Sequence, residues 1–298
     1  MNKVFLIFSL LFISCVQQVS KDYAKDFVVP NIQPIGTEKY LDLNSDYIFD
    51  QESLHTFELI IPGSLLRKID STPAKEEYVE AIIIFEGDTL SPVGIRYKGS
   101  VGAFVGCLSG KNPLEPSGKK TCTKLSMKVK IDWKGRKHKF YDLTKLQFHN
   151  QNNDPSQMHE RLGYWFFRSM GVPAPRSVHA KLIINGKYSG LYALTEQIDE
   201  NFVKYNFTEG NGNLYKEVWP INHKGEPQKD KKLLGGLKTN EENNPDLSLI
   251  KTFGELIADS DSIESRKIVS DYMNINQIIS YAVVDRAIRN DDGVFHWY

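Results

Sequence analysis

The order of secondary-structure patterns in this sequence predicts an α+β chain in two lobes. Three observations carry that reading. Strand-like segments run from residue 55 to 131, a capped amphipathic helix and a strand pair around Asn185-Gly186 follow, and the last third is helical. Strands, one helix, strands and then helices is an α+β order rather than an alternating βαβ one. No internal repeat interrupts it.

The N-terminus reads as an address. Lys3 precedes an apolar run from Val4 to Ile13 broken only by Ser9. That run is shorter than the roughly 20 residues a bilayer span needs, and it suits the apolar region of a signal peptide. Phe12-Ile13-Ser14-Cys15 resembles a bacterial lipobox, so residues 1–14 are expected to be cleaved and the Cys15 thiol lipidated. Residues 15–52 are polar and aperiodic, as expected of a tether. Export places Cys107 and Cys122 in an oxidising setting, where they are expected to close the Gly- and Pro-containing loop between them as a disulfide.

Strand patterns follow at 55–61, 78–85 and 92–98, with Gly87-Asp88 as a hairpin signal. From 124 to 131 the alternation is clean. Leu125, Met127, Val129 and Ile131 face one way, and Lys124, Ser126, Lys128 and Lys130 the other. Asp154 as N-cap, Pro155 and Gln157 predict a helix start, with Met158, Leu162, Trp165 and Phe166 as its apolar stripe and Gly171 with Pro173 as its end. Strands at 178–184 and 188–195 flank Asn185-Gly186. A short helix from about 198, a strand near 213–216 and a polar loop over 221–245 come next. Helices at 247–258, 263–272 and 274–288 complete the chain, the last with Ile278, Ile279, Ala282 and Val283 as its buried stripe.

Composition excludes several classes. With 298 residues, 41% hydrophobic and 25% charged, the chain is neither mainly disordered nor collagen-like. Lys+Arg and Asp+Glu are both 37, which gives no whole-molecule attraction to nucleic acid or anionic lipid. The seven histidines form no His-x-x-x-His pair and there is no Gly-x-Ser-x-Gly elbow, so zinc-hydrolase and serine-hydrolase chemistry are not indicated. Asn206-Phe207-Thr208 matches a glycosylation sequon, which carries little weight in a bacterial lipoprotein.

Three constellations remain. Arg96-Tyr97-Lys98-Gly99-Ser100 runs a basic strand end into a glycine loop able to cradle phosphate. The lysine face at 124–130 precedes a helix carrying Glu160, the order in which a strand Lys and a helix Glu hold the phosphates of ATP in protein kinases. Asn290-Asp291-Asp292 follows the last helix, where an Asp can accept the proton of an attacking hydroxyl. Taken singly, each is also an ordinary turn or solvated face.

Together with ordered local matches they resemble the CotH family, named for spore coat protein H, an atypical kinase-like group. The carrying residues include 95–99, 122–128, 140–149, Glu160 to Phe167, Met170 to Arg176, Asn185 to Tyr192, Thr195 to Asp199 and 213–216. The resemblance implies an atypical protein-kinase-like bilobal fold over 53–298. Its β-rich N-lobe, about 53–196, would hold one key helix, and its helical C-lobe, about 197–298, would be incomplete. It implies ATP with Mg²⁺ or Mn²⁺, and protein Ser/Thr hydroxyls at the cell envelope as acceptors. By position, Lys124 or Lys128 resembles the phosphate-binding lysine, Glu160 its helix partner, and Arg96, Gly99 and Ser100 the loop over the phosphates. Thr195 to Asp199, with Glu196, resembles the hinge beside adenine. Asp292, then Asp291 with Asn290, resembles the catalytic corner. The metal-holding Asp of the family's further Pro-Trp-Asp-like motif is expected beyond Tyr298, so metal ligands stay unassigned, as does the oligomeric state. A non-catalytic surface module and a truncated fragment are the alternative expectations.

Overall fold

The computed structural model describes residues 45–99, 101–112, 114–242, 245–291 and 293, with the backbone alone at Val101. The signal peptide, Cys15, most of the expected tether, Ser100, Asp292 and the terminal residues 294–298 lie outside the described residues.

The chain is mixed α+β, with one seven-stranded sheet and, among the described residues, nine α-helices. Strands β1 (His55–Ile60), β2 (Val79–Phe85), β3 (Asp88–Tyr97), β4 (Met127–Lys130), β5 (Lys145–His149), β6 (Ser177–Ile184) and β7 (Lys187–Thr195) close into a barrel in the order β1-β2-β3-β4-β5-β7-β6. All neighbours are antiparallel except β1 and β6, which meet in parallel, Phe57 opposite Leu182. The alternation read from the sequence decides what fills the barrel. Leu125, Met127, Val129 and Ile131 are fully buried, beside Phe57, Phe85, Ile95, Phe148 and Leu194. Asn185 and Gly186, at φ 50° and 74°, make the β6–β7 turn, as paired left-handed residues do in tight hairpins. Asn185 also exchanges hydrogen bonds with the Ile61 backbone at 2.7 and 2.9 Å, tying that turn to the end of β1. The β2–β3 turn is built on Glu86-Gly87 (φ 50° and 89°), one residue earlier than the sequence signal.

Helices are α1 (Ser45–Ile48), α2 (Gly63–Ser71), α3 (Val101–Phe104), α4 (His159–Ser169), α5 (Glu200–Asn206), α6 (Asp230–Gly236), α7 (Ser248–Asp259), α8 (Glu264–Tyr272) and α9 (Ile275–Ala287). Five sequence expectations change. The helix expected from Asp154 begins at His159, because the Asp154 carboxylate accepts from the N–H groups of Ser156 (3.0 Å) and His159 (2.8 Å), and Gln157 takes a left-handed φ of 54°. Residues 154–158 are thus a turn that presents α4 rather than its first coil. Leu162 and Trp165 are half-exposed, while Phe167 points inward beside Tyr281 at 5.3 Å between ring centroids. In α9 the buried side is Ser280, Val284 and Asp285, with Ile279 and Val283 exposed. That helix is apolar around much of its circumference, so a stripe cannot be read from hydrophobicity alone. The strand expected near 213–216 is a single bridge, Tyr215 to Leu237, and the polar stretch 221–245 contains α6.

Packing of the barrel reaches back to Ile48 and Phe49, both in its core cluster. Cys107 and Cys122 are joined as a disulfide. Among the described residues no helix is long and apolar enough to cross a membrane.

Candidate functional site

Strand register lines up a polar row on the outer face of the barrel. Arg96 lies opposite Lys128, Lys128 opposite Gln147, Gln147 opposite Thr195, and Thr195 opposite Ser177. The neighbouring row, Tyr97, Met127, Phe148, Leu194 and Val178, is the barrel interior. Because side chains alternate along a strand, Lys98 and His149 share the outer face with Arg96 and Gln147, one step nearer to α4.

Helix α4 brings Glu160 to that face. Its Oε1 accepts from Thr195 Oγ1 at 2.8 Å and meets His149 Nδ1. Since Thr195 donates to Glu160, the 2.9 Å contact with Ser177 has Ser177 as its donor. Lys98 Nζ sits 2.8 Å from Gln147 Oε1 and 2.7 Å from His149 Nε2. Burial pushes the Lys98 ammonium down to about 8, with Glu160 opposing that shift.

The other sequence-derived residues distribute around this centre. Lys128 Nζ donates to Gln197 Oε1 at 2.7 Å, and burial, with repulsion from Lys145, Arg96 and Lys98, also pushes it down to about 8. Lys124 points elsewhere, donating to the Leu191 carbonyl at 2.7 Å over the Tyr192 ring. Arg96 pairs with Glu76, whose other oxygen accepts the Gly99 N–H at 2.9 Å. Gly99 itself is at φ 154°, and a Cβ there would come within 2.5 Å of the Ala103 Cβ. Only glycine fits this turn between β3 and α3. Glu196 is buried and consumed structurally: Arg176 Nη2 approaches its Oε1 at 2.6 Å, and Arg176 also reaches Asp46 at 2.7 Å.

Two cavities meet at Glu160. One, of about 400 Å³, is lined by Lys98, Gly99, Gly102, Ser126, His149 and Glu160, together with residues 150–154. The other, of about 1180 Å³, runs along α4 past Glu160, Trp165 and Phe166 to Asn290 and Asp291. Asn290 is fixed beside α9, its N–H and Nδ2 donating to the Asp285 backbone and carboxylate at 2.9 Å each. Asp285 is buried, and its Oδ2 has no hydrogen-bond partner among the described residues. Asp291 lies 3.8 Å from Arg289 at the surface end of the cleft.

The structure therefore places Gly99 and Glu160 on one cavity and Glu160, Asn290 and Asp291 on the other. It leaves Arg96, Lys124, Lys128 and the Glu196 carboxylate outside their linings. Gln147 and His149 join the outer face although the sequence reading gives them no site role, while Lys98 and Thr195 are read there only as parts of the phosphate loop and the hinge segment. The signal for them was the period of two, which puts Lys98 with Arg96 and His149 with Gln147 on one face.

The arrangement offers partly buried cations beside a glycine turn, a helix carboxylate that organises one of them, and hard oxygen donors across a cleft. That combination suits a polyphosphate whose end is presented to a second substrate. A sequence profile of the family described as "CotH kinase protein" matches residues 95–298, more than half the chain. An "Inner spore coat protein H-like protein" of Bacillus subtilis (strain 168) is 48% identical over 42 residues, a stretch spanning 14% of this chain and 14% of that relative. This chain belongs to the CotH kinase protein family.

Proposed function

We propose that the chain is an ATP-dependent protein kinase of the CotH type with a kinase-like two-lobed arrangement. In this reading it is exported, lipid-anchored through Cys15, and transfers phosphate to Ser or Thr hydroxyls of envelope proteins. The observation that carries the catalytic part is the meeting of two cavities at Glu160. Lys98 and the Gly99 turn lie on one side, and Asn290-Asp291 on the other. In protein kinases a lysine ordered by a helix glutamate holds the α- and β-phosphates, and an Asp across the cleft orients the hydroxyl. Lys98 is the lysine that shares a cavity with Glu160. Lys128 adds charge one strand over, beside Gln197 and the segment expected to border adenine.

The residues fit a nucleotide: Lys98 commits its bonds to Gln147 and His149, which leaves one of the three ammonium N–H groups for a phosphate oxygen. Among the described residues no three His, Cys, Asp or Glu side chains converge to hold a metal by themselves. Mg²⁺ is commonly held by one or two carboxylates together with substrate phosphates, and Asp291 with Asn290 supplies oxygen donors of that kind. Bound there, Mg²⁺ or Mn²⁺ would neutralise phosphate charge. The protein's own part is to position Lys98, close the Gly99 turn and hold the Asn290 loop against α9.

The test uses purified protein with labelled ATP and Mg²⁺ or Mn²⁺. Label should enter the protein itself or an envelope protein, and Asp292→Ala should abolish it. Equal labelling by the variant removes Asp292 from the chemistry. Mg²⁺–ATP should also raise the melting temperature, as any ligand selective for the folded form does; absence of a shift with every nucleotide–metal pair would favour a non-catalytic surface module.

A further inference from the structure

We propose that His149 is a positioning residue. As a neutral imidazole protonated on Nδ1, it joins Lys98 to Glu160 and holds the lysine without setting the carboxylate directly against it. The inference rests on the nucleotide-site reading above.

The donor and acceptor inventory dictates the tautomer. An ionised Glu160 oxygen only accepts, so the nitrogen that meets it, Nδ1, must carry the proton. A lysine ammonium only donates, so the nitrogen 2.7 Å from Lys98 Nζ, Nε2, must offer its lone pair. A doubly protonated ring would turn an N–H towards the Lys98 ammonium. Thr195, donating to the same Glu160 oxygen at 2.8 Å, fixes the carboxylate that fixes the ring. Gln147 takes a second Lys98 proton at 2.8 Å and sets the direction in which the ammonium leans.

The arrangement has a chemical consequence. A lysine in direct contact with a carboxylate spends much of its field on that partner, and a phosphate must compete for it. An imidazole between them passes on orientation through two hydrogen bonds while keeping the formal negative charge one ring away. Lys98 stays placed beside the cavity, with its charge available to an anion. His149 in this role touches neither phosphate nor acceptor; it acts through Lys98.

The test has two arms. Nitrogen-15 NMR of histidine-labelled full-length protein, with the His149 signals assigned by their loss in His149→Gln, should show a protonated Nδ1 and an unprotonated Nε2 near neutral pH. A proton on Nε2, in either the other neutral tautomer or the doubly protonated ring, overturns the proposal. In the second arm, Mg²⁺–ATP affinity is measured by titration. The shorter His149→Asn sets its amide N–H near the Nδ1 position facing Glu160 and does not reach Lys98, whereas the longer His149→Gln sets its amide oxygen near the Nε2 position facing Lys98 and withdraws from Glu160. Each should weaken Mg²⁺–ATP binding at least about tenfold, the scale of one lost charged hydrogen bond. Affinity equal to wild type in either folded variant overturns the bridge. If wild type fails to bind Mg²⁺–ATP yet shows the Nδ1-protonated ring, the bridge stands and the kinase reading is what fails.

Discussion

Replacing Lys98 by methionine removes a cation whose burial should be visible in the pH dependence of stability. The ammonium is pushed from 10.5 down to about 8 in the folded chain, chiefly by burial. A base with a depressed folded value releases its proton on folding wherever the pH lies between the two values. In that window the unfolded chain binds more protons, and stability rises with pH. Integrated from about pH 7 to about pH 9.5, this one group contributes roughly 2 kcal/mol of added stability to wild type. Lys98→Met loses that increment. The same change relieves Lys128, whose own downward shift includes repulsion from Lys98, so the difference in slope should not be smaller. The assay is urea denaturation of both proteins at the two pH values, compared as a double difference so that titrating groups untouched by the substitution cancel. Equal increments in the two proteins would refute the claim that Lys98 is a desolvated, partly buried charge in this cavity.

Other outcomes follow from single contacts. Gly99→Ala should cost about 1–3 kcal/mol and abolish nucleotide binding, because its Cβ meets Ala103 at 2.5 Å and its φ is 154°; urea melts and a Mg²⁺–ATP titration check both. Glu196→Gln should destabilise the fold by about 3–5 kcal/mol, since it strips a buried partner from Arg176. In that folded variant Mg²⁺–ATP affinity should stay within a few-fold of wild type, and a specific loss of affinity would return Glu196 to the site. Replacing Cys107 and Cys122 together by serine should lower stability by about 3 kcal/mol, the entropy of a loop of their 15-residue separation; a melting comparison under oxidising conditions measures it.

Much of the barrel was legible because strand burial follows a period of two. The Leu125-to-Ile131 alternation, the Asn185-Gly186 turn and the disulfide are all as read. What misled was local polar chemistry and helical ambiguity. Asp154 looked like a helix cap and instead stabilises a turn that delays α4 until His159. Trp165 looked buried and lines a cleft, while Phe167 does the packing. For the site, the sequence pointed to Glu160 and the glycine turn and offered Lys124 or Lys128 by charge alternation, while among the described residues the lysine lining a cavity with Glu160 is Lys98. Which lysine stands beside Glu160 depends on the register of β3 to β4 and β5 and on the approach of α4, and neither is written in local spacing. The burial of Ser280 and Asp285 in place of Ile279 and Val283 is likewise a tertiary outcome, set by which side of α9 meets Phe167.

The parallel seam between β1 and β6 has a consequence for how the molecule is made. Phe57 pairs with Leu182, residues 125 positions apart in the chain, so the ring of strands cannot shut until nearly the whole β-rich half has been synthesised. Contacts that distant form slowly. Until they do, β1 and β6 each present an unpaired edge, the kind of surface that recruits strands from other molecules. A chain interrupted anywhere between the two strands would keep such an edge permanently. Aggregation during biosynthesis should therefore depend on how quickly residues 177–184 reach residues 55–60.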